Sequence, residues 1–104
     1  MDADLEAAVG ELDEELGVHP VFFTVPSAHA VHVKVVLESY EAIGVVRTQN
    51  PDHGDGRILV VFLLVPDFAD TGRAVLADLA EQTELRFLRA TAEMVAELKG
   101  VLAD

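Results

Sequence analysis

Hydrophobic positions along this 104-residue chain change period several times, and each change marks an expected element. In residues 2–16, Leu5, Val9, Leu12 and Leu16 recur at helical spacing, which predicts an amphipathic helix. Asp2, Asp4 and Glu6 stand near its positive end, where negative charge is favourable. Gly10 weakens its middle, and Gly17 is a stop signal. Residues 21–25 are aromatic and β-branched and predict a short strand ended by Pro26. Ser27 is then the expected N-cap of a helix running to about residue 42.

Within that second helix, Val31-His32-Val33-Lys34-Val35 alternates as a strand would. Against this, Val33, Val36, Leu37 and Tyr40 form a helical stripe, with Val31 and Val35 beside it. Residues 43–49 and 57–65 read as two strands joined into a hairpin by the turn formers of residues 50–56. Residues 67–82 read as a helix with Asp67 or Asp70 as cap and Val75, Leu76 and Leu79 facing inward. The last stretch has two readings. Residues 84–90 form a strand with Leu85 and Phe87 inward, followed by a helix capped by Thr91; or Leu85, Leu88, Ala92, Val95, Leu98 and Leu102 mark one long helix. The strand is preferred because the fold then closes.

The resulting order, helix, then β-α-β-β-α-β, then helix, predicts an α+β domain. It has a ferredoxin-like antiparallel sheet, two helices on one face, and extra N- and C-terminal helices. No repeat or linker divides the chain: residues 1–17 form an accessory helix, 21–90 the core, and 91–104 the last helix of a single domain. Residues 58–65 are apolar at both strand parities. A half-solvated strand would alternate. The second sheet face is therefore expected to be covered, by the terminal helices or by another subunit, because bare it would expose an unusually large apolar patch.

Charge and composition narrow the function. The net charge is −12, with 19 acidic against 7 basic residues. Such a surface repels phosphate backbones and anionic lipids, so neither nucleic acid nor membrane is an expected partner. The acidity fits an ordinary acidic protein or one adapted to high salt, where screening relieves self-repulsion. With no cysteine, thiol catalysis, disulfides and Cys-ligated zinc are excluded. No basic start and apolar run marks a signal peptide, and a cytoplasmic location is the default expectation.

Residues 33–48, VKVVLESYEAIGVVRT, resemble an uncharacterised bacterial family of ACT-like domains. Leu37, Glu38, Ser39, Tyr40 and Glu41 match its phrase, as do Val46, Arg47 and Thr48, while Ala42 replaces a common Gly. The resemblance covers roughly residues 21–89 and implies that 27–42 is helical. It carries no established activity. ACT-like domains in general bind amino acids or other small molecules and assemble side by side, so it implies a non-catalytic binding or regulatory module and a homodimer. The alternative is a structural or protein-interaction domain without a small ligand.

The expected ligand-binding residues are Ser27 and His29, at the turn where ACT-like domains often hold ligands, with Arg47 and Thr48 at a strand end. A helix N-terminus offers free N–H groups, and a guanidinium recognises a carboxylate as a fork, so a small carboxylate is the expected ligand class. The turn lacks a Gly that would let a ligand approach closely. Glu38, Tyr40 and Glu41 form a polar patch that serves a partner, pairs with Arg47, or is simply solvated. His29 and His32 are spaced for shared metal ligation, but no third ligand is evident unless Asp52, His53 or Asp55 is brought near, so no metal or cofactor is assigned. No nucleotide loop or nucleophile elbow occurs, which makes catalysis the least favoured class.

Overall fold

A computed structural model describes residues 2–40 and 42–103. Five strands form one sheet: β1 (Asp2–Ala3), β2 (His19–Pro26), β3 (Gly44–Gly54), β4 (Arg57–Leu64) and β5 (Arg86–Leu88). Four helices accompany them: α1 (Leu5–Val9), α2 (Ser27–Glu38), α3 (Ala69–Thr83) and α4 (Ala92–Ala103). The spatial order is β1-β5-β2-β4-β3 and every pairing is antiparallel.

The two central strands are apolar at both parities because both of their faces are buried. Val21, Phe23 and Val25 of β2, with Val60, Phe62 and Leu64 of β4, join Val33 and Leu37 of α2 and Leu76 and Leu79 of α3 in the larger core. Phe23 meets Phe87 edge to face, with ring centroids 6.4 Å apart. On the opposite face Phe22 and Val61 are sealed by Leu98 of α4, flanked by Leu16, Met94, Val95 and Leu102. The expected cover for the second face is thus supplied from within the chain, by α4 and the loop after α1. Gly72 lets α3 descend onto β4, since a Cβ there would collide with the Leu64 side chain.

Several expectations need correction. The helix foreseen over residues 2–16 is only Leu5–Val9, capped by Asp4, whose carboxylate accepts from the Ala7 N–H at 2.8 Å. Gly10, at φ 54°, ends it, and Asp13 then bridges to Val18 instead of continuing a helix. Ser27 is the first residue of α2 and not its cap; Pro26 holds the cap position, with no side-chain bond. That helix stops at Glu38. The foreseen loop over residues 50–56 is mostly strand. β3 runs on, irregularly, to Gly54, and only Asp55 and Gly56 turn the chain, both with positive φ as a two-residue hairpin requires. Neither Asp67 nor Asp70 caps α3, which follows a 3-10 turn at Pro66–Phe68 with Phe68 at the cap. The strand reading of residues 84–90 holds in a shortened form, β5, and Thr91 does cap α4, accepting from the Met94 N–H at 3.1 Å.

Candidate functional site

The four expected ligand residues do not converge. Ser27 starts α2, and its N–H already donates to the Gly56 carbonyl at 2.9 Å, so the helix end is partly closed by the hairpin turn. His29 is half-buried within the first turn of the same helix. Arg47 and Thr48 lie in the middle of β3, not at its end, opposite Val61 and Val60. They point to opposite faces, Arg47 to the α4 side and Thr48 to the side of α2 and α3. Pro26 pairs with Arg57 and Arg47 with Val61, so the two groups are four residues apart along β4, about 13 Å, and lie on different neighbouring strands. Among the described residues Arg47 forms no ion pair with Glu38, and Glu41 lies outside them. His29 and His32 gain no third partner: no group of three or more His, Asp or Glu able to hold a metal occurs among the described residues.

Tyr40, 43% exposed, instead lines a shallow groove of about 240 Å³ between α2 and α3, with His32, Asp78 and Gln82 on the rim and Val36, Val75 and Leu79 on the floor. A wider cleft of about 470 Å³ runs along the free edge of β3, lined by Lys34, Glu38, Gly44, Val45 and Val46.

The third concavity, about 350 Å³, lies between the loop after α1 and the start of α4. Local chain chemistry builds it. Gly10 breaks α1 and swings residues 10–13 outward; β5 ends at Leu88, and Arg89 to Thr91 turn the chain into α4. The lining is mainly apolar, from Ala8, Val9, Leu12, Pro20 and Val95. Two charged side chains on its rim, Glu11 and Arg89, are exposed and form no ion pair among the described residues. The lip is fixed from below. Lys99 of α4 lies 3.2 Å from Asp13 and 2.9 Å from Glu15, and Asp13 also accepts from the Leu16 N–H at 3.0 Å. That N–H, with the Lys99 ammonium, holds the Asp13 carboxyl below its ordinary range. The Glu15 carboxylate first, and then Asp13, raise the Lys99 ammonium. A concave apolar surface flanked by a cation and an anion that have no ion pair among the described residues can hold a small zwitterion.

Arg89, Lys99 and Arg57 were not distinguished by the sequence. Only Arg57 left a trace: Thr24 is the one polar residue of the apolar run 21–25 in the central strand β2. Its hydroxyl, 4% exposed with its residue, accepts from Arg57 Nε at 2.9 Å. Arg57 Nη2 donates to the Thr24 and Glu84 carbonyls at 3.0 and 2.8 Å, joining β2, β4 and the left-handed turn before β5. No helix among the described residues is long and apolar enough to cross a membrane. No family model matches the chain, and neither a curated protein nor a solved structure shows significant similarity to it.

Proposed function

We propose that this chain is a non-catalytic, ACT-like binding module of the cytoplasm that assembles with copies of itself and takes a small carboxylate-bearing ligand. The order β5-β2-β4-β3, antiparallel throughout with α2 and α3 packed on one face, supports a ferredoxin-like core, because two interleaved β-α-β units generate it. The observation that carries the ligand reading is the cleft beside Arg89. It joins an apolar floor to a guanidinium with no ion pair among the described residues, with the Glu11 carboxylate across the rim. A free amino acid offers the complementary pair, a carboxylate for Arg89 and an ammonium for Glu11, with its side chain on the floor. The set Ser27, His29, Arg47 and Thr48 is less suited, because its members occupy separated strands and faces.

Thermal shift against a panel of free amino acids and small carboxylates tests this, since a ligand preferring the folded state raises the midpoint. The expected result is a rise with at least one member that Arg89→Ala abolishes while the unliganded midpoint stays put. Silence across the panel would leave the interaction-domain reading in its place.

A further inference from the structure

We infer that the groove between α2 and α3 is a binding site for a small organic cation, an ammonium group carried on a compact apolar body. The inference goes beyond the reading above, and none of its residues belongs to the Arg89 cleft.

Two helical rows build the groove. His32 and Val36 stand one turn apart on α2, and Tyr40 follows at the same spacing, just past the helix end. Asp78 and Gln82 are likewise one turn apart on α3, beside Val75 and Leu79. The valines and the leucine form an apolar floor below four exposed polar side chains. The backbone that carries the ring is held from both sides. Tyr40 N–H donates to the Leu37 carbonyl at 3.1 Å, and the Tyr40 carbonyl accepts from the N–H of buried Ile43 at 3.0 Å.

Charge decides the ligand class. Among the described residues Asp78 forms no ion pair, and neither Lys nor Arg lines the groove. Neither α2 nor α3 carries a basic residue in its last turn, so both helices end on uncompensated negative dipole charge, one beside Tyr40 and the other at Gln82. A chain of net charge −12 adds a general attraction for cations. The carboxylate of an anion or zwitterion would meet Asp78 here with no cation to receive it. A bare metal ion lacks its set of ligands, because no group of three His, Asp or Glu able to hold one occurs among the described residues. An organic ammonium suits every part: its carbon body lies on the floor, Asp78 takes the charge, and an aromatic ring attracts it further. The volume of about 240 Å³ equals roughly eight waters, which limits the ligand to about ten non-hydrogen atoms.

Tyr40 is the only tyrosine and the chain has no tryptophan, so intrinsic fluorescence reads this groove alone. Choline, titrated at constant ionic strength, is expected to give a saturable change with a dissociation constant on the order of 0.1–1 mM, as suits a small ligand in a shallow groove. Its uncharged analogue, with carbon in place of nitrogen, should give none. Asp78→Asn should weaken binding roughly fivefold. Glu97→Gln removes the same charge from α4 and should change nothing, as should Arg89→Ala. Tyr40→Leu, followed by ligand-observed nuclear magnetic resonance because the fluorophore is gone, should weaken binding about two- to fivefold. The substituted side chains are all exposed, and circular dichroism checks that each variant folds. No saturable response to choline, or an equal response to its uncharged analogue, would overturn the inference. So would equal weakening by Asp78→Asn and Glu97→Gln, which would reduce the effect to net charge, or a response lost in Arg89→Ala, which would move it to the other cleft.

Discussion

Replacing Leu98 by Ala tests whether the second sheet face is closed by the chain itself. Leu98 is fully buried and, among the described residues of α4, is the side chain that clusters with Phe22 and Val61 at 0% exposure. Burying a leucine and then emptying its site costs about 2–5 kcal/mol, depending on how far the surroundings collapse. Here collapse is easier than in the main core. α4 lies on an outer layer, with half-buried Met94, Val95 and Leu102 able to settle inward. The lower half of that range is therefore expected, about 2–3 kcal/mol. A domain of this size is stable by about 5–15 kcal/mol, so the loss is a large fraction of the whole. At about 4–8 °C per kcal/mol, the midpoint should fall by roughly 10–20 °C.

The chain has no tryptophan and one tyrosine, so far-ultraviolet circular dichroism in a urea series is the suitable signal. Val101→Ala is the control on the same helix. Val101 is 48% exposed, and its truncation should stay within about 0.5 kcal/mol of the wild type. The reasoning is refuted if Leu98→Ala is as mild as Val101→Ala. In that event α4 would not seal the face, and Phe22 and Val61 would need a cover from another subunit.

Two further outcomes follow from the same packing. Gly72→Ala improves helix propensity by about 1 kcal/mol, but its Cβ meets the Leu64 side chain, which is fully buried and has nowhere to go. Net destabilisation is expected there, whereas Gly100→Ala, into open space on α4, should stabilise by roughly 0.5–1 kcal/mol; urea midpoints decide, and a stabilised Gly72→Ala would sink the close-approach argument. Asp13 and Lys99 make the α4 latch pH-dependent. The lowered carboxyl contributes above the ordinary carboxylate range and is lost as pH falls through its depressed value; the raised ammonium contributes below the ordinary lysine value and is lost as pH rises through its raised one. The midpoint difference between wild type and Lys99→Met should be largest between those limits and shrink in acid, and a difference that persists undiminished in acid would refute the latch.

Where local pattern and tertiary packing agree, the elements were legible. The run 58–65 identified β4 as doubly buried, and with it the need for a covering layer. The helix over 27–38 was legible only against its strict alternation. Val31 and Val35 are 74% and 61% exposed on the outer side of α2 while Val33 between them is buried, so the apparent strand pattern mixed one core residue with two β-branched residues facing solvent. The N-terminal helix failed for the opposite reason. Leu12 and Leu16 keep helical spacing with Leu5 and Val9, but Leu16 packs beneath α4 and Leu12 is 42% exposed, so two faces of the molecule share one periodicity. Periodicity counts hydrophobic positions and does not say which core receives them.

The expected site residues are dispersed for a different reason, because which face a strand residue takes depends on register. A residue on β3 points to one face or the other according to its pairing with β4, and Arg47 falls on the α4 side only because it faces Val61. Matched motif residues adjacent in sequence, Arg47 and Thr48, are therefore separated by the thickness of the sheet. The same logic explains why the charged pair that does share a cleft, Glu11 and Arg89, was invisible. One sits on a loop released by Gly10 and the other follows a three-residue strand, 78 positions further along the chain. For a domain whose slab is closed on both faces, chemistry is left to rims and edges. These are the places where residues distant in sequence meet, and where reading along the chain carries least.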